Sequence, residues 1–406
     1  MKNRCFDLKA KRVLVVEPLG DGGIAHYTFN LLDSLANHLD SIILFTNRRY
    51  ELIDKSKQFK VFNWMFLVAN WIIIKLPSID QEHGIFTAIR RVIKIIEYPL
   101  NIFEALLIVI VKKIDIVHFQ SVNLIEVLMV IVFKLFDIKI IYTVHNVRPL
   151  HKELRFYHKW ILWFTYSLCN EIIAHTIKGK EEIAHLFKVS KDKIHVIPHG
   201  DYNFFIPDDS IIGSDAKSSL HIDPKFKTIL FFGAIRENKG LANILTAMPK
   251  IIEHVPEVLL LIVGEPCGDY SKYQQIITEQ NIADHVWEKL GYIPNEELPV
   301  YFFASDMVVL PYNEVTGSGI LQVAYAFSKP VVANDLDGFR ETIVDGENGY
   351  LAKTGDMVNL AEKCIEILMN REKQNRMGSY SKYLADTKYS WDLIAQKTKE
   401  IYFSIK

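Results

Sequence analysis

The chain has 406 residues, too many for one hydrophobic core, so two domains of roughly 150–200 residues each are expected. With 50% hydrophobic and 23% charged residues it is globular, which excludes a disordered or purely solvating chain. The net charge of -1 hides a split: residues 1–200 hold 27 Lys and Arg against 19 Asp and Glu (+8), and residues 201–406 hold 20 against 29 (-9), so the halves are expected to meet different partners.

In chain order, residues 12–18 form a buried apolar strand, followed by the glycine-rich stretch Gly20-Asp21-Gly22-Gly23-Ile24-Ala25 and a helical spacing of Leu31, Leu32, Leu35 and Leu39. Further strands are expected at residues 41–46, 115–119, 139–144, 171–175 and 194–197. Residues 201–225, rich in Pro, Asp, Gly and Ser, read as a linker. A second alternating series follows, with strands at 228–232, 258–263, about 287–290, 307–310 and 330–333, and a last helix at 391–402. Strands alternating with helices predict an α/β chain of two doubly wound, Rossmann-like domains, 1–200 and 226–388, with residues 389–406 packing back on the first. Ligands of such sheets sit beyond the carboxyl ends of the strands.

Four cysteines (Cys5, Cys169, Cys267, Cys364) without metal-like spacing read as free thiols of a reducing compartment. Residues 1–10 are polar and charged, unlike a secretory leader, and no run reaches the ~18 apolar residues of a spanning helix. A cytoplasmic protein is expected. Residues 84–113 mix Arg90, Arg91, Lys94, Lys112 and Lys113 with an apolar stripe, which is either a helix resting on an anionic membrane or an ordinary amphipathic helix covering the sheet. Trp64, Trp71, Trp160 and Trp163 near basic residues fit the membrane reading.

The chemistry concentrates at strand ends. Phe231-Phe232-Gly233-Ala234-Ile235-Arg236-Glu237-Asn238-Lys239-Gly240 joins a strand, a tight turn, two cations and a helix start. A helix start presents N–H groups and the positive end of its dipole, so the stretch predicts a phosphate seat with Lys239 and Arg236 adding full charge. The Gly20–Ala25 stretch is not G-x-G-x-x-G, and it is either an ordinary turn or a second ligand-facing loop. His145 follows a strand and is expected to face the ligand; His118 is either functional or a satisfied core histidine, and His175, His185, His195 and His199 are read as structural. Glu314, then Gly317-Ser318-Gly319-Ile320-Leu321-Gln322, form another glycine-bearing turn into a helix, whose N–H groups offer a second anion contact while Glu314 and Gln322 take hydroxyls. Asp335-Leu336-Asp337 has the spacing of a metal-binding pair, but such pairs most often mark a turn, and no metal cofactor is expected.

Taken together and in order, Gly22-Gly23-Ile24-Ala25, His118, Thr143-Val144-His145-Asn146, Val196-Ile197-Pro198-His199-Gly200, Phe232-Gly233 with Lys239-Gly240, Leu290-Gly291-Tyr292-Ile293-Pro294, Pro330-Val331-Val332-Ala333, and Gly338 to Glu341 with Asp345-Gly346 resemble the family-4 group of retaining glycosyltransferases. The resemblance covers nearly the whole chain. It implies the GT-B architecture, two Rossmann-like domains facing across a cleft. It also implies a hexosyltransferase-type enzyme moving a sugar from a nucleotide-sugar donor to a glycan or lipid-linked acceptor, with no nucleic-acid partner. Lys239 with a neighbouring arginine would hold the diphosphate, the backbone of Gly291, Tyr292 and Ile293 would meet the base, His145 would sit by the reacting sugar, and Gly22-Gly23 would approach the diphosphate from the first domain. Two positions depart from the pattern. Ala234 stands where the family arginine commonly follows the glycine, leaving Arg236 to reach in, and Gln322 stands eight positions after Glu314 where a second glutamate is usual. An amide still hydrogen-bonds a ribose diol, without the charge. An epimerase, a phosphorylase or a non-catalytic nucleotide-sugar binder on the same fold are the alternatives.

Overall fold

The computed structural model describes residues 11–66, 68–69, 84–121, 124–147, 156–207, 211–315 and 317–405, with 84–91, 124–125, 156–157 and 211–214 described by backbone alone. Cys5 and Trp71 lie outside the described residues. The chain divides into two compact units, residues 1–198 with 391–406, and residues 199–390.

Unit 1 carries strands β1 (Arg12–Glu17), β2 (Ser41–Asn47), β3 (Lys60–Met65), β4 (Ile116–Phe119), β5 (Lys139–Val144), β6 (Glu171–Ala174) and β7 (Ile194–Val196). They form a seven-stranded parallel sheet in the order β3-β2-β1-β4-β5-β6-β7. Its helices are α1 (Gly22–Ala36), α2 (Gly84–Val111), α3 (Leu124–Leu135), α4 (Phe156–Leu168) and α5 (Ile177–Phe187). Alternate residues of each strand enter different cores, as the two-residue period of a strand requires. Leu14 and Val16 pack with Ile108, Phe133, Tyr166 and Phe187 of α2 to α5. Val13 and Val15 pack with Leu31 and Leu35 of α1 and with Ile394 and Tyr402 of the last helix, Trp391–Ser404. Continuous apolar strands are the consequence: both sheet faces are covered.

Unit 2 carries α6 (Ile211–Ser219), β8 (Lys227–Phe232), α7 (Leu241–His254), β9 (Val258–Gly264), α8 (Ser271–Glu279), β10 (Val286–Leu290), α9 (Leu298–Ala304), β11 (Met307–Leu310), α10 (Gly319–Ala326), β12 (Val331–Asn334), α11 (Asp337–Arg340), β13 (Gly349–Ala352), α12 (Met357–Leu368) and α13 (Arg371–Asp386); the last helix of the chain is α14. The parallel sheet runs β10-β9-β8-β11-β12-β13. The described residues of 201–225, expected as a linker, are instead folded into this unit: Tyr202 and Ile222 are buried in its core, and α6 packs on α9. Among the described residues no helix is long and apolar enough to cross a membrane.

Candidate functional site

In unit 2 the predicted residues gather at the carboxyl ends of four neighbouring strands, β10, β9, β8 and β11. Phe232 pairs with Val263, so Gly233 and Gly264 leave the sheet side by side. The Gly233 N–H donates to Val263 O at 2.9 Å, and the Gly291 N–H donates to Gly264 O at 3.0 Å. A Cβ on Gly264 would stand 1.9 Å from Gly233 O, so only glycine permits this approach.

From Gly233 the chain runs to a single 3₁₀ turn, Glu237–Lys239, and Gly240 turns it into α7 with φ +66°. This cationic loop is laced to the loop after β11. The Asn313 N–H donates to Asn238 O at 2.9 Å, Asn313 Nδ2 to Glu237 O at 3.0 Å, and Asn243 Nδ2 to Pro311 O at 2.8 Å. Lys239 Nζ rests 3.8 Å from the ring centroid of the buried Tyr312, whose backbone oxygen accepts from Asn334 Nδ2. A ring face attracts an ammonium but leaves its N–H groups to other acceptors.

On the far side of the loop, Ser318 caps α10, its hydroxyl accepting from the Leu321 N–H at 3.4 Å. Ile320 approaches to 3.6 Å of where a Gly233 Cβ would be, so the start of α10 adjoins the loop. Gly317 and Glu314 are exposed on the connecting segment, and Tyr292 is 70% exposed beyond Gly291, with Ile293 packed against the core. Gln322, one turn into α10, is only 4% exposed.

Arg236 Nε, Asn238 Oδ1 and Gln322 Oε1 are buried without a hydrogen-bond partner, and they are every such side-chain atom of unit 2 among the described residues. Each unpaired buried polar atom costs on the order of 1–3 kcal/mol. Arg236 Nε, a donor on the same loop as the Lys239 ammonium, suits an anion, whereas Asn238 Oδ1 and Gln322 Oε1 are acceptors and suit hydroxyl groups. The Asp335–Asp337 pair is differently employed: Arg340 donates to both oxygens of Asp335, at 2.5 and 2.8 Å, and to Asp337 at 2.9 Å.

Unit 1 builds a second polar centre. The register pairs Val144 with Ala174, so His145 and His175 emerge together. His175 Nδ1 lies 3.0 Å from Ile197 O, which can only accept, so Nδ1 carries the proton. His175 Nε2 is 3.0 Å from His145 Nδ1, and His145 Nε2 is 3.1 Å from Gln120 Oε1. These two bonds fix the plane of the His145 ring, while Tyr27 meets both rings edge-on. His175, read from sequence as structural, is the orienting partner of the predicted residue. His118 is fully buried, bonded at 2.7 Å to both Tyr402 and Thr143 hydroxyls, and burial lowers its pKa to about 3: it is a satisfied core histidine.

The first glycine loop is organised by Glu17, which sequence reasoning passed over. Its carboxylate accepts from the N–H groups of Leu19 and Gly20 at 2.8 and 2.9 Å. Gly22, with φ +73°, and Gly23 open α1, and the Gly22 N–H donates to Glu51 at 3.0 Å. Burial raises the Glu17 pKa to about 7 from 4.5, against the opposing hydrogen bonds. A carboxyl whose folded pKa exceeds its unfolded value binds its proton in the folded state first, so stability falls as pH rises from about 4.5 to about 7. Glu17→Gln is expected to flatten that slope. The unfolding free energy of the variant should gain about 2–3 kcal/mol on wild type between pH 5 and pH 8 in urea titrations, and parallel pH profiles would count against it.

Among the described residues no group of three or more His, Cys, Asp or Glu could hold a metal ion. Comparison with known proteins bears on the family and the fold. Residues 21–200 match the family model Glycosyltransferase Family 4, and residues 214–383 match Glycosyl transferases group 1. A phosphatidyl-myo-inositol mannosyltransferase of Mycobacterium leprae is 32% identical over 184 residues, 44% of this chain and 47% of the relative. A D-inositol 3-phosphate glycosyltransferase of Corynebacterium urealyticum is 27% identical over 241 residues, 58% of this chain and 56% of the relative. The chain thus spans about half the length of the curated relatives it matches. Among solved structures, Anabaena HepE in complex with UDP superposes with a TM-score of 0.73 at 16% identity, covering 97% of this chain and 100% of that one.

Proposed function

Because this chain belongs to the glycosyltransferases assembled from a family-4 half and a group-1 half, in the GT-B architecture, we propose that it transfers a sugar from a nucleotide-sugar donor to a glycan or lipid-linked acceptor, with retention of anomeric configuration. The observation that carries this reading is the set of unpaired buried polar atoms on the Lys239 loop and on α10, at the carboxyl end of the second sheet. The mycobacterial relative, named for mannosyl transfer to phosphatidyl-myo-inositol, and the HepE structures with UDP and UDP-glucose lend support.

The mechanism follows from charge. Breaking the bond between sugar and diphosphate places negative charge on the departing oxygen and positive charge on the ring. Lys239, Arg236 and the start of α10 stand where they lower the energy of that leaving group as its charge develops. Gln322 and Glu314 offer acceptors for the ribose hydroxyls, and Gly291, Tyr292 and Ile293 line the place of the base. His145, its ring held in orientation by His175, is assigned to the reacting sugar. Retention is taken from the family resemblance, with front-face attack in which the leaving phosphate helps remove the acceptor proton.

The loop cations supply the neutralising charge, so the reaction is proposed to need no metal cofactor, and the enzyme is placed in the cytoplasm, at the inner membrane face where the acceptor is lipid-linked. The test is a panel of nucleotide sugars with extracted lipid and glycan acceptors, products being analysed by NMR for anomeric configuration. Transfer with retention, undiminished by EDTA, is the expected result. Donor epimerisation without acceptor, or binding without turnover on every acceptor, would contradict the proposal.

A further inference from the structure

We propose that the outer face of α2, α3 and α4 in unit 1 is a docking surface for an anionic lipid bilayer. These helices lie side by side, and their inner faces enter one core on the same side of the sheet, so their outer faces form one continuous surface. On α2 that surface is a stripe of Val92, Ile96, Leu100, Phe103, Leu107 and Ile110, all exposed, Ile96 to 70% and Phe103 to 60%. The spacing of four, four, three, four and three is helical, so the stripe lies along the helix and can meet a plane. Leu135 of α3 is 80% exposed, and on α4 Trp160 and Trp163 stand out of the surface. Soluble surfaces rarely carry so many contiguous large apolar side chains without a partner.

Charge selects the partner. Two of the three acids of these helices, Glu97 and Glu126, are buried, the first accepting from the N–H groups of Val68 and Ala69, and the third, Glu104, is half-buried and accepts from Asn101 Nδ2 at 3.4 Å. Cations remain outside, at Lys112 and Lys113 beyond α2 and at Lys159 and Lys188 beside the tryptophans. A groove of about 360 Å³ lined by Trp160, Trp163, Leu186 and Phe187 has those two lysines at its rim. Apolar side chains framed by lysines and tryptophans fit the boundary between acyl chains and anionic headgroups. A second copy meeting this face would set like charges against each other, which disfavours self-association.

Binding needs no donor or acceptor, so this inference stands or falls apart from the transferase reading. Full-length protein is sedimented with vesicles of phosphatidylcholine alone and of equal parts phosphatidylcholine and phosphatidylglycerol, at low salt. Retention by the anionic vesicles is expected, and Ile96→Glu with Phe103→Glu should weaken it by roughly hundredfold, since the substitutions remove apolar area and add repulsion. Both positions point outward, so the variant keeps its circular dichroism and melting temperature. Wild type left in the supernatant, a folded double variant that sediments like wild type, or a lipid-free dimer that the substitutions dissolve would each overturn the proposal.

Discussion

Lys239→Ala is expected to lower the turnover of sugar transfer on the order of hundredfold or more, about 3 kcal/mol of barrier, by analogy with the loss of one preorganised charge-stabilising donor. The ammonium is fixed over the Tyr312 ring, and the Tyr312 loop is in turn bonded to the turn that carries Lys239. On the transferase reading it would therefore meet the leaving diphosphate without reorganising. The diphosphate is charged before the reaction as well as after it, so the apparent KM for donor should also rise. Lys239→Arg keeps the charge but not its compact placement and should fall between the two. Initial rates at saturating donor check this, with the melting temperature as a control; turnover within twofold of wild type would remove Lys239 from the site.

Gly240→Ala should give the largest loss of stability among single substitutions in this loop. Gly240 has φ +66°, which alone costs an alanine roughly 1–2 kcal/mol. In addition its Cβ would stand 1.9 Å from Pro311 O, a backbone atom held by the Asn243 amide. The loop after β11 must then move, which breaks the bonds joining it to Asn238 and brings the total to about 3–5 kcal/mol. Gly355→Ala separates the two effects: φ is +80°, but nothing lies within 4 Å of a Cβ there, so only the conformational cost remains. Thermal unfolding of both variants measures the difference. Equal losses would show that the close approach to Pro311 contributes nothing.

The two-sheet architecture is legible because a parallel strand covered on both faces is a local apolar run, as in residues 12–17 and 258–264. Strands that depend on their neighbours are not. β3 carries Asn63 and an exposed Trp64 on a sheet edge, and β13 is four residues whose Gly349 fits only because Val331 O stands 2.0 Å from where a Cβ would be. The cationic loop was readable as a turn carrying two cations into a helix start because turn, charge and helix start are contiguous in sequence. His175 was not, since its meeting with His145 is created by the β5–β6 register across a gap of thirty residues. Gln322 could be placed on α10 by spacing, but its burial with an unpaired oxygen is a property of packing alone. The burial of Tyr202 and Ile222 in unit 2 was concealed by the turn-forming composition around them.

The most direct test of the account is a crystal structure of the full chain grown with a nucleoside diphosphate chosen by thermal shift. The account predicts the phosphates between the Gly233 loop and the start of α10, within hydrogen-bond reach of Lys239 Nζ, with Arg236 Nε and Gln322 Oε1 engaged. A diphosphate ordered elsewhere, with those atoms still unpaired, would contradict it.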